Sequence, residues 1–197
     1  MRSSDSRPHY LDGGVRPVKV LVTGPFAVGK TTLVGTVSEI PPLRTEEVMT
    51  QAGQLVDDLA GVRGKSTTTV AIDFGRRTLP GGALALYLFG MAGQERFVPL
   101  WRDFAEGALG ALVLADPRRV QDSFTTMTRL EEMGLPYAVA VNQFDDAPRH
   151  PEHEYRQAFD LEPATPLVRC DARDRGSVLR ALIALVEYLL VAKQEAS

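Results

Sequence analysis

The chain has 197 residues, 44% of them hydrophobic and 24% charged, which predicts one globular domain with a substantial core. Its formal net charge of −3 argues against nucleic acid as the main partner, because proteins that neutralise phosphate backbones carry a basic face. The single cysteine, Cys170, excludes an intrachain disulfide framework and favours a reducing cytoplasm.

The first stretch of the chain, residues 1–16, is polar and rich in Ser, Arg, Gly and Pro, so we expect a flexible tail ahead of a domain over 17–193. No segment has the pattern of a signal peptide or a membrane span, and neither end carries a lipidation motif. These observations predict a cytoplasmic location. His150 and His153 lie in a Pro-containing stretch, which indicates a solvated loop and not a metal site.

The first predicted strand, Val18–Val22, leads into a glycine-containing loop. Residues 24–31 read Gly-Pro-Phe-Ala-Val-Gly-Lys-Thr, which matches G-x-x-x-x-G-K-[ST] between a strand and a helical pattern. Such a loop turns its backbone N–H groups toward a di- or triphosphate, while Lys30 reaches the outer phosphates and Thr31 binds Mg2+. The alternative is a glycine-rich turn that carries a lysine by chance. We predict that nucleotide is bound by Gly24, Pro25, Phe26, Ala27, Val28, Gly29, Lys30, Thr31 and Thr32.

A first helix is predicted over Lys30–Glu39. The segment that follows it mixes polar and apolar residues. The apolar residues of the stretch Thr45–Leu59 recur at helical spacing, at Val48, Ala52, Leu55 and Leu59. This spacing predicts a short helix, which serves either as a surface for a partner or as inert packing.

The remaining elements alternate between strands and helices along the chain. Strands are predicted at Thr69–Thr78, Ala83–Phe89, Ala111–Ala115, Tyr137–Val141 and Leu167–Arg169, and helices at Ser123–Met133 and Arg175–Val191. The turn at 80–82 is too short for a crossover, so it predicts an antiparallel hairpin. The predicted fold class is α/β: a phosphate-loop NTPase domain with a mostly parallel six-stranded sheet, one antiparallel edge strand and helices on both faces.

Three further motifs follow the phosphate loop. Residues 69–74 read T-V-A-I-D-F, residues 92–97 read A-G-Q-E-R-F, and residues 142–145 read N-Q-F-D. In this order they resemble the motifs of the Ras-like small GTPases, from about Val18 to the final helix. The resemblance implies that Gly93 senses the γ-phosphate and Gln94 orients the attacking water. It also implies that Thr69 carries its hydroxyl to Mg2+, although the preceding threonines leave this register open.

The fourth motif resembles the base-reading N-K-x-D sequence. The resemblance implies that Asp145 accepts hydrogen bonds from guanine N1 and N2, and that Asn142 bonds N7 and ties neighbouring loops together. Alone, N-x-x-D at a strand end is a common turn, and its place after the other motifs favours the functional interpretation. By position, Cys170, Asp171 and Ala172 correspond to the last motif, where a backbone N–H bonds the guanine O6.

Four departures from the Ras-like pattern are present. Gly90 stands where an Asp holds Mg2+ through water, and Gln143 stands where a lysine stacks on guanine. Phe26 replaces a glycine common in the phosphate loop, and Ser38 is separated from Thr69 by a longer stretch than in Ras. We therefore expect the GDP complex to bind Mg2+ weakly, unless a carboxylate such as Asp73 or Asp116 takes the missing role.

These departures, together with the segments 39–47, 68–76 and 88–97, resemble the actinobacterial GTPases encoded in conservons. The resemblance implies a GTP-binding switch that hydrolyses GTP slowly, with Mg2+ bound by Thr31 and Thr69 and catalysis by Gln94, Lys30 and Thr69. The residues expected to change shape are 40–69 and 90–106. The implied partners are a roadblock/LC7 protein and a sensor-kinase-like membrane protein, which would recruit the chain to the membrane.

Two alternatives stay open. One is a nucleotide-holding scaffold without turnover, which the losses at Gly90 and Gln143 favour. The other is an ATPase or kinase of the phosphate-loop class, against which Asn142 and Asp145 argue.

Two side-chain roles are also predicted. Trp101 is expected to anchor a partner, because tryptophan is enriched at binding hot spots. Phe26 should hinder an arginine that enters from a partner, so an arginine from within the chain, Arg44 or Arg63, is the candidate for the transition state.

Overall fold

The computed structural model describes residues 14–50, 67–91 and 98–195. Within these ranges the chain forms seven strands: β1 (Arg16–Thr23), β2 (Leu43–Thr50), β3 (Thr67–Thr78), β4 (Leu84–Gly90), β5 (Ala108–Ala115), β6 (Tyr137–Asn142) and β7 (Leu167–Cys170). The same ranges contain five α-helices: α1 (Lys30–Val37), α2 (Val98–Ala105), α3 (Phe124–Glu132), α4 (Glu152–Ala158) and α5 (Arg175–Glu195).

The strands form one sheet in the order β2-β3-β4-β1-β5-β6-β7. β1 lies parallel to both β4 and β5, and the pairs β5–β6 and β6–β7 are also parallel. Only β3 runs in the opposite direction, antiparallel to β4 and to the edge strand β2. The predicted fold class and the hairpin around residues 80–82 are therefore confirmed, with seven strands in place of six.

The additional strand is β2, which replaces part of a predicted helix. The helix expected from Thr45 is wrong over residues 45–50, because this stretch pairs antiparallel with β3, up to Thr50 opposite Thr67. Pairing with a long neighbouring strand overrides the weak helical spacing, and β-branched residues fit a pleated surface. Residues 51–59 of that expected helix lie outside the described residues.

Two apolar layers cover the sheet, as alternation along a strand requires. On β1, Val20 and Val22 face a cluster that α1 and α5 complete, and Leu21 faces the opposite cluster. The second cluster contains side chains from α2, α3 and α4, among them Trp101, Leu130 and Tyr155. Among the described helices, none is both long and apolar enough to cross a bilayer.

Trp101 belongs to this second cluster. Its side chain is 1% exposed, so the prediction that it anchors a partner is wrong. An apolar residue on an amphipathic helix most often faces the core, and the enrichment of tryptophan at interfaces does not outweigh this tendency. Within the described part of the chain, its Nε1 has no hydrogen-bond partner.

Candidate functional site

The phosphate loop connects the end of β1 to α1 and lies tightly against β5. Gly24 has φ 140°, and a Cβ at this position would lie 2.1 Å from the carbonyl oxygen of Leu114. Gly29 has φ 106°, and its Cβ would lie 3.0 Å from Asn142 Nδ2. Ala27 has φ 60°, a conformation that non-glycine residues rarely adopt and that is often found at ligand clamps. The two glycines are therefore required by close contacts, beyond their match to the motif.

Lys30 lies across the loop to which it belongs. Its Nζ donates hydrogen bonds to the carbonyl oxygens of Gly24, at 3.0 Å, and Pro25, at 2.6 Å. Burial lowers the pKa of Lys30 to about 8, although the negative charge of Asp73 acts in the opposite direction. The ammonium group is thus still mostly charged at neutral pH, and it lies where anionic phosphates would be received.

A carboxylate lies beside the hydroxyl of the next residue. Thr31 Oγ1 donates to Asp73 Oδ2 at 2.5 Å, and Arg44 Nε donates to the other oxygen of Asp73 at 3.2 Å. Asp73 is on β3, directly opposite Gly90 of β4. The antiparallel pairing of β3 with β4 therefore brings Asp73 to the start of α1.

Asp73 occupies the space beside Gly90. A Cβ on Gly90 would lie 3.1 Å from Asp73 Cβ and 3.4 Å from Asp73 Oδ2. A carboxylate is therefore present next to Thr31, supplied by the neighbouring strand. Asp116, the other carboxylate considered for this role, lies after β5 and is hydrogen-bonded to Arg118. From the sequence, Asp73 and Asp116 were both candidates for the carboxylate missing at position 90. The strand register distinguishes them, because it brings Asp73 beside Thr31.

Asn142 ties three loops together at the end of β6. Its Nδ2 donates to the carbonyl oxygen of Val28 at 2.8 Å, and its Oδ1 accepts a hydrogen bond from the N–H of Ala172 at 3.0 Å. The side chain is buried. The loop-tying role predicted for Asn142 is therefore present, between the phosphate loop and the loop that follows β7.

An arginine that the sequence motifs did not single out contacts the carboxylate predicted to read the base. Arg173 Nη1 and Nη2 donate to the two oxygens of Asp145 at 3.2 and 3.0 Å, and its Nε donates to Asp171 at 3.0 Å. These hydrogen bonds hold the pKa values of Asp145 and Asp171 below their ordinary values. Both carboxylates are therefore charged at neutral pH. The Asp145 side chain is 85% exposed.

The residues that correspond to the last motif, 170–172, contribute mainly backbone groups to the site. The N–H of Asp171 donates to Ser177 Oγ at 3.0 Å, and the N–H of Gln143 donates to the carbonyl oxygen of Cys170 at 2.8 Å. The N–H groups of Asp171 and Ala172 thus already have partners within the protein, so a bond to a base oxygen requires one of them to exchange its partner. Burial raises the pKa of the Cys170 thiol to about 12, which leaves it a packing group and not a nucleophile.

Two adjoining clefts run along the carboxyl ends of the parallel strands, where open α/β sheets bind ligands. The first is lined by Phe26, Ala27, Gly29, Lys30, Thr31, Thr32, Arg44, Asp73 and Gly90. The second is lined by Ala27, Gly29, Thr32, Asn142, Gln143, Phe144, Asp145, Asp146, Asp171, Ala172 and Arg173. Because Ala27, Gly29 and Thr32 line both, the phosphate side and the base side form one continuous groove.

Some of the predicted site residues are not among the described residues that line the groove. Gly93, Gln94 and Arg63 lie outside the described residues. Thr69 is paired with Val48 in the β2–β3 ribbon. It precedes Asp73 by four positions, which corresponds to about 13 Å along an extended strand. The metal-binding role of Thr69 and the catalytic role of Gln94 stay predictions.

Comparisons with known proteins agree with this architecture. The G domain of the T. maritima FeoB iron transporter superposes with a TM-score of 0.60 and 19% sequence identity, covering 88% of this chain and 99% of that chain. At this identity the likeness shows the fold alone. The family model described as "Conserved hypothetical ATP binding protein" matches residues 22–192, which is most of the chain. The protein therefore belongs to this family of conserved hypothetical ATP binding proteins, and it is a nucleotide-binding phosphate-loop domain with the fold of a G domain.

Proposed function

We propose that the protein is a guanine-nucleotide switch that hydrolyses GTP slowly. The observation that carries this proposal is the charged carboxylate of Asp145 at one end of the groove that holds Lys30 at the other. A carboxylate only accepts hydrogen bonds, and guanine offers donors at N1 and N2, whereas adenine has an acceptor at N1 and no 2-amino group. A site built to pair with such donors rejects the base that lacks them.

The phosphates would be held by the loop backbone and by Lys30. The half-buried ammonium of Lys30 donates to two loop carbonyl oxygens, and a nucleotide phosphate is a stronger acceptor for the same charge. The loop opens into α1, so its N–H groups and the helix dipole also favour an anion.

The residues beside the phosphate loop fit a Mg2+ ion. A hydroxyl from Thr31 and a carboxylate from Asp73 are the hard oxygen donors that Mg2+ prefers, and they lie in hydrogen-bond contact. Among the described residues there is no cluster of three or more His, Cys, Asp or Glu side chains, so most ligands would come from nucleotide and water. When bound, the ion neutralises charge on the β- and γ-phosphates. We therefore propose the alternative to weak Mg2+ binding in the GDP complex, in which Asp73 takes the role of the missing carboxylate.

Of the two arginines considered for the transition state, Arg44 and Arg63, we assign the role to Arg44. Its side chain lines the phosphate cleft and contacts Asp73. Phe26, which is 70% exposed beside the same cleft, obstructs the route by which a partner would insert an arginine. Gln94 keeps its predicted role of orienting water, and Gln94→Leu should slow hydrolysis while nucleotide affinity stays nearly unchanged.

The β2–β3 ribbon is the element we assign to switching. β3 pairs with β4 only from Asp73 to Thr78, and residues 67–72 pair with β2 alone. A two-stranded ribbon without a third strand is only marginally stable, so a contact with the γ-phosphate could move it at low cost. Together with α2, this ribbon would present the state-dependent surface to a roadblock/LC7 protein and, through it, to a sensor-kinase-like membrane protein.

The second candidate function is ATP binding and hydrolysis, which the description of the family favours. Nucleotide-free protein should be titrated with fluorescent GDP and ADP in the presence of Mg2+. The proposal predicts that GDP binds at least about 100-fold more tightly than ADP, and that Asp145→Asn shifts the preference toward xanthosine diphosphate. Equal affinities, or a preference for ADP, would reject the guanine assignment.

Turnover needs its own measurement. Single-turnover hydrolysis of GTP by the wild-type protein should be slow but measurable. Tight GTP binding with no phosphate release would instead identify a nucleotide-holding scaffold.

A further inference from the structure

A buried carboxylate that no motif explains follows directly after β5. Asp116 is fully buried, and Arg118 grips it through Nε to Oδ1 and Nη2 to Oδ2, both at 2.9 Å. The backbone N–H of Arg118 adds a third hydrogen bond at 3.0 Å. Burial disfavours the charged form of Asp116, yet these hydrogen bonds and the charges of Arg118 and Arg119 keep its pKa below the ordinary value. The buried, charged carboxylate therefore holds Arg118 in place.

The other side of the Arg118 guanidinium faces the base-reading loop. Nη1 donates to both oxygens of Asp146, at 2.9 and 3.1 Å. The guanidinium carbon lies 3.9 Å from the centre of the Phe144 ring, within cation–π distance. Phe144 and Asp146 are the two chain neighbours of Asp145. One side chain thus holds both residues that flank the carboxylate proposed to read the base.

The same cluster also approaches the phosphate loop. Arg119 Nη2 lies 3.5 Å from Asp116 Oδ2 and 3.4 Å from the carbonyl oxygen of Phe26. Asp116 therefore joins, through two consecutive arginines, the loop that binds phosphate and the loop that reads the base.

We propose that Arg118, anchored on Asp116, is a positioning residue for base recognition: it fixes residues 144–146 so that Asp145 faces the base. This role rests on the proposed function of the site. Asp145 is exposed and lies on a loop, so it needs a supporting shell to be held in a productive geometry. Gln143 stands where the fourth motif has a lysine, and Arg118 reaches this loop from the neighbouring strand end.

The chemistry of the contact requires arginine. A guanidinium is a planar fork that grips a carboxylate with two parallel bonds and stacks on an aromatic ring, whereas an ammonium is a point charge. Arg118→Lys therefore keeps the charge beside Asp116 but loses the fork and the stacking. If the cluster only stabilised the fold, this substitution would weaken every nucleotide equally.

The test compares GDP with inosine diphosphate, which lacks the 2-amino group that Asp145 would bind. Affinities for both are measured for wild type, Arg118→Lys, Asp145→Ala and the double variant, with the melting temperature of the nucleotide-free protein alongside. Arg156→Gln is the matched control, because this α4 arginine pairs with Glu152 and does not line the groove. Should Arg118→Lys fail to fold, Asp146→Asn and Phe144→Leu remove its two loop contacts separately.

We expect Arg118→Lys to weaken GDP binding by about tenfold, and to reduce the GDP preference over inosine diphosphate to that of Asp145→Ala. In the Asp145→Ala background it should change neither affinity further. Equal losses for both nucleotides in both backgrounds would overturn the positioning role and leave a structural cluster. Wild-type protein that binds GDP, inosine diphosphate and ADP alike would instead reject the proposed function, and this role with it.

Discussion

The Arg173 guanidinium contacts both oxygens of the Asp145 carboxylate, at 3.2 and 3.0 Å. Guanine would need the same two oxygens for its N1 and N2 donors. If Asp145 reads the base as proposed, guanine would compete with Arg173 for these oxygens, while the bond from Arg173 Nε to Asp171 is able to persist. The free protein would thus carry an internal competitor for the group proposed to read the base.

Removing the Arg173 side chain should favour binding of the guanine base to Asp145. Because both side chains are exposed, the pair is weak and screened by salt. We expect Arg173→Gln to accelerate GDP association severalfold at low ionic strength, with little difference at high salt. Stopped-flow measurement over a salt series checks this, with Arg173→Lys as the charge-retaining control. Slower association at low salt would mean that Arg173 attracts the nucleotide and does not compete with it.

Lys30 should couple nucleotide binding to proton uptake. Burial lowers the pKa of Lys30 to about 8 in the structure, and phosphate contact would favour the protonated form. Above pH 8 the free protein must bind a proton as the nucleotide binds, so affinity should fall with rising pH, approaching tenfold per unit. Calorimetry at pH 9 in buffers of different ionisation enthalpy reports the proton directly. Lys30→Arg stays charged and should show no such dependence; the same flat profile in wild type would contradict the prediction.

Asp73 should supply the carboxylate that position 90 lacks. We expect Asp73→Asn to weaken Mg2+ binding by the GDP complex by at least about tenfold, since outer ligands typically contribute 10- to 100-fold to metal affinity. The exchange Asp73→Gly with Gly90→Asp should restore binding, because both positions border the same space and a side chain kept at 73 would crowd a Cβ at 90. Asp103→Asn, on an exposed part of α2, is the control. Mg2+ titration that shows no change for Asp73→Asn would assign the role to another group.

Arg44 should act in the chemical step and not in binding. Arg44→Ala is expected to lower single-turnover GTP hydrolysis by at least about tenfold with GTP affinity nearly unchanged, the signature of a transition-state contact. Arg44→Lys keeps the positive charge but lacks the planar guanidinium, so it tests whether charge alone supports hydrolysis. Because Arg44 also pairs with Asp73, Mg2+ affinity must be measured in the same variants. A lost rate that excess Mg2+ restores would show that Arg44 acts only through Asp73.

The parts of this molecule that could be predicted from sequence are those set by near neighbours in the chain. The phosphate loop depends on residues 24–31, and the β3–β4 hairpin depends on a short turn, so local spacing was sufficient for both. The groove follows from the rule that carboxyl ends of parallel strands meet at one edge of a sheet.

The parts that could not be predicted depend on register and long-range contact. Asp73 lies beside Thr31 only because it pairs with Gly90 across two antiparallel strands. Arg118 reaches Asp146 across a separation of 28 residues. The apolar residues around β2 are spaced as in a helix, yet β2 forms a strand because it pairs with β3. In each case the deciding contact joins elements that no local pattern links.

The burial of Trp101 gives this protein an optical property. The chain contains one tryptophan, and it lies on α2, four positions after the segment 92–97 that contains Gly93 and Gln94. An indole sealed from water emits at shorter wavelength than one in contact with solvent. A nucleotide-driven displacement of α2 that changes the surroundings of Trp101 would alter the emission of this single fluorophore, so the proposed conformational cycle could be followed in real time in the unlabelled wild-type chain.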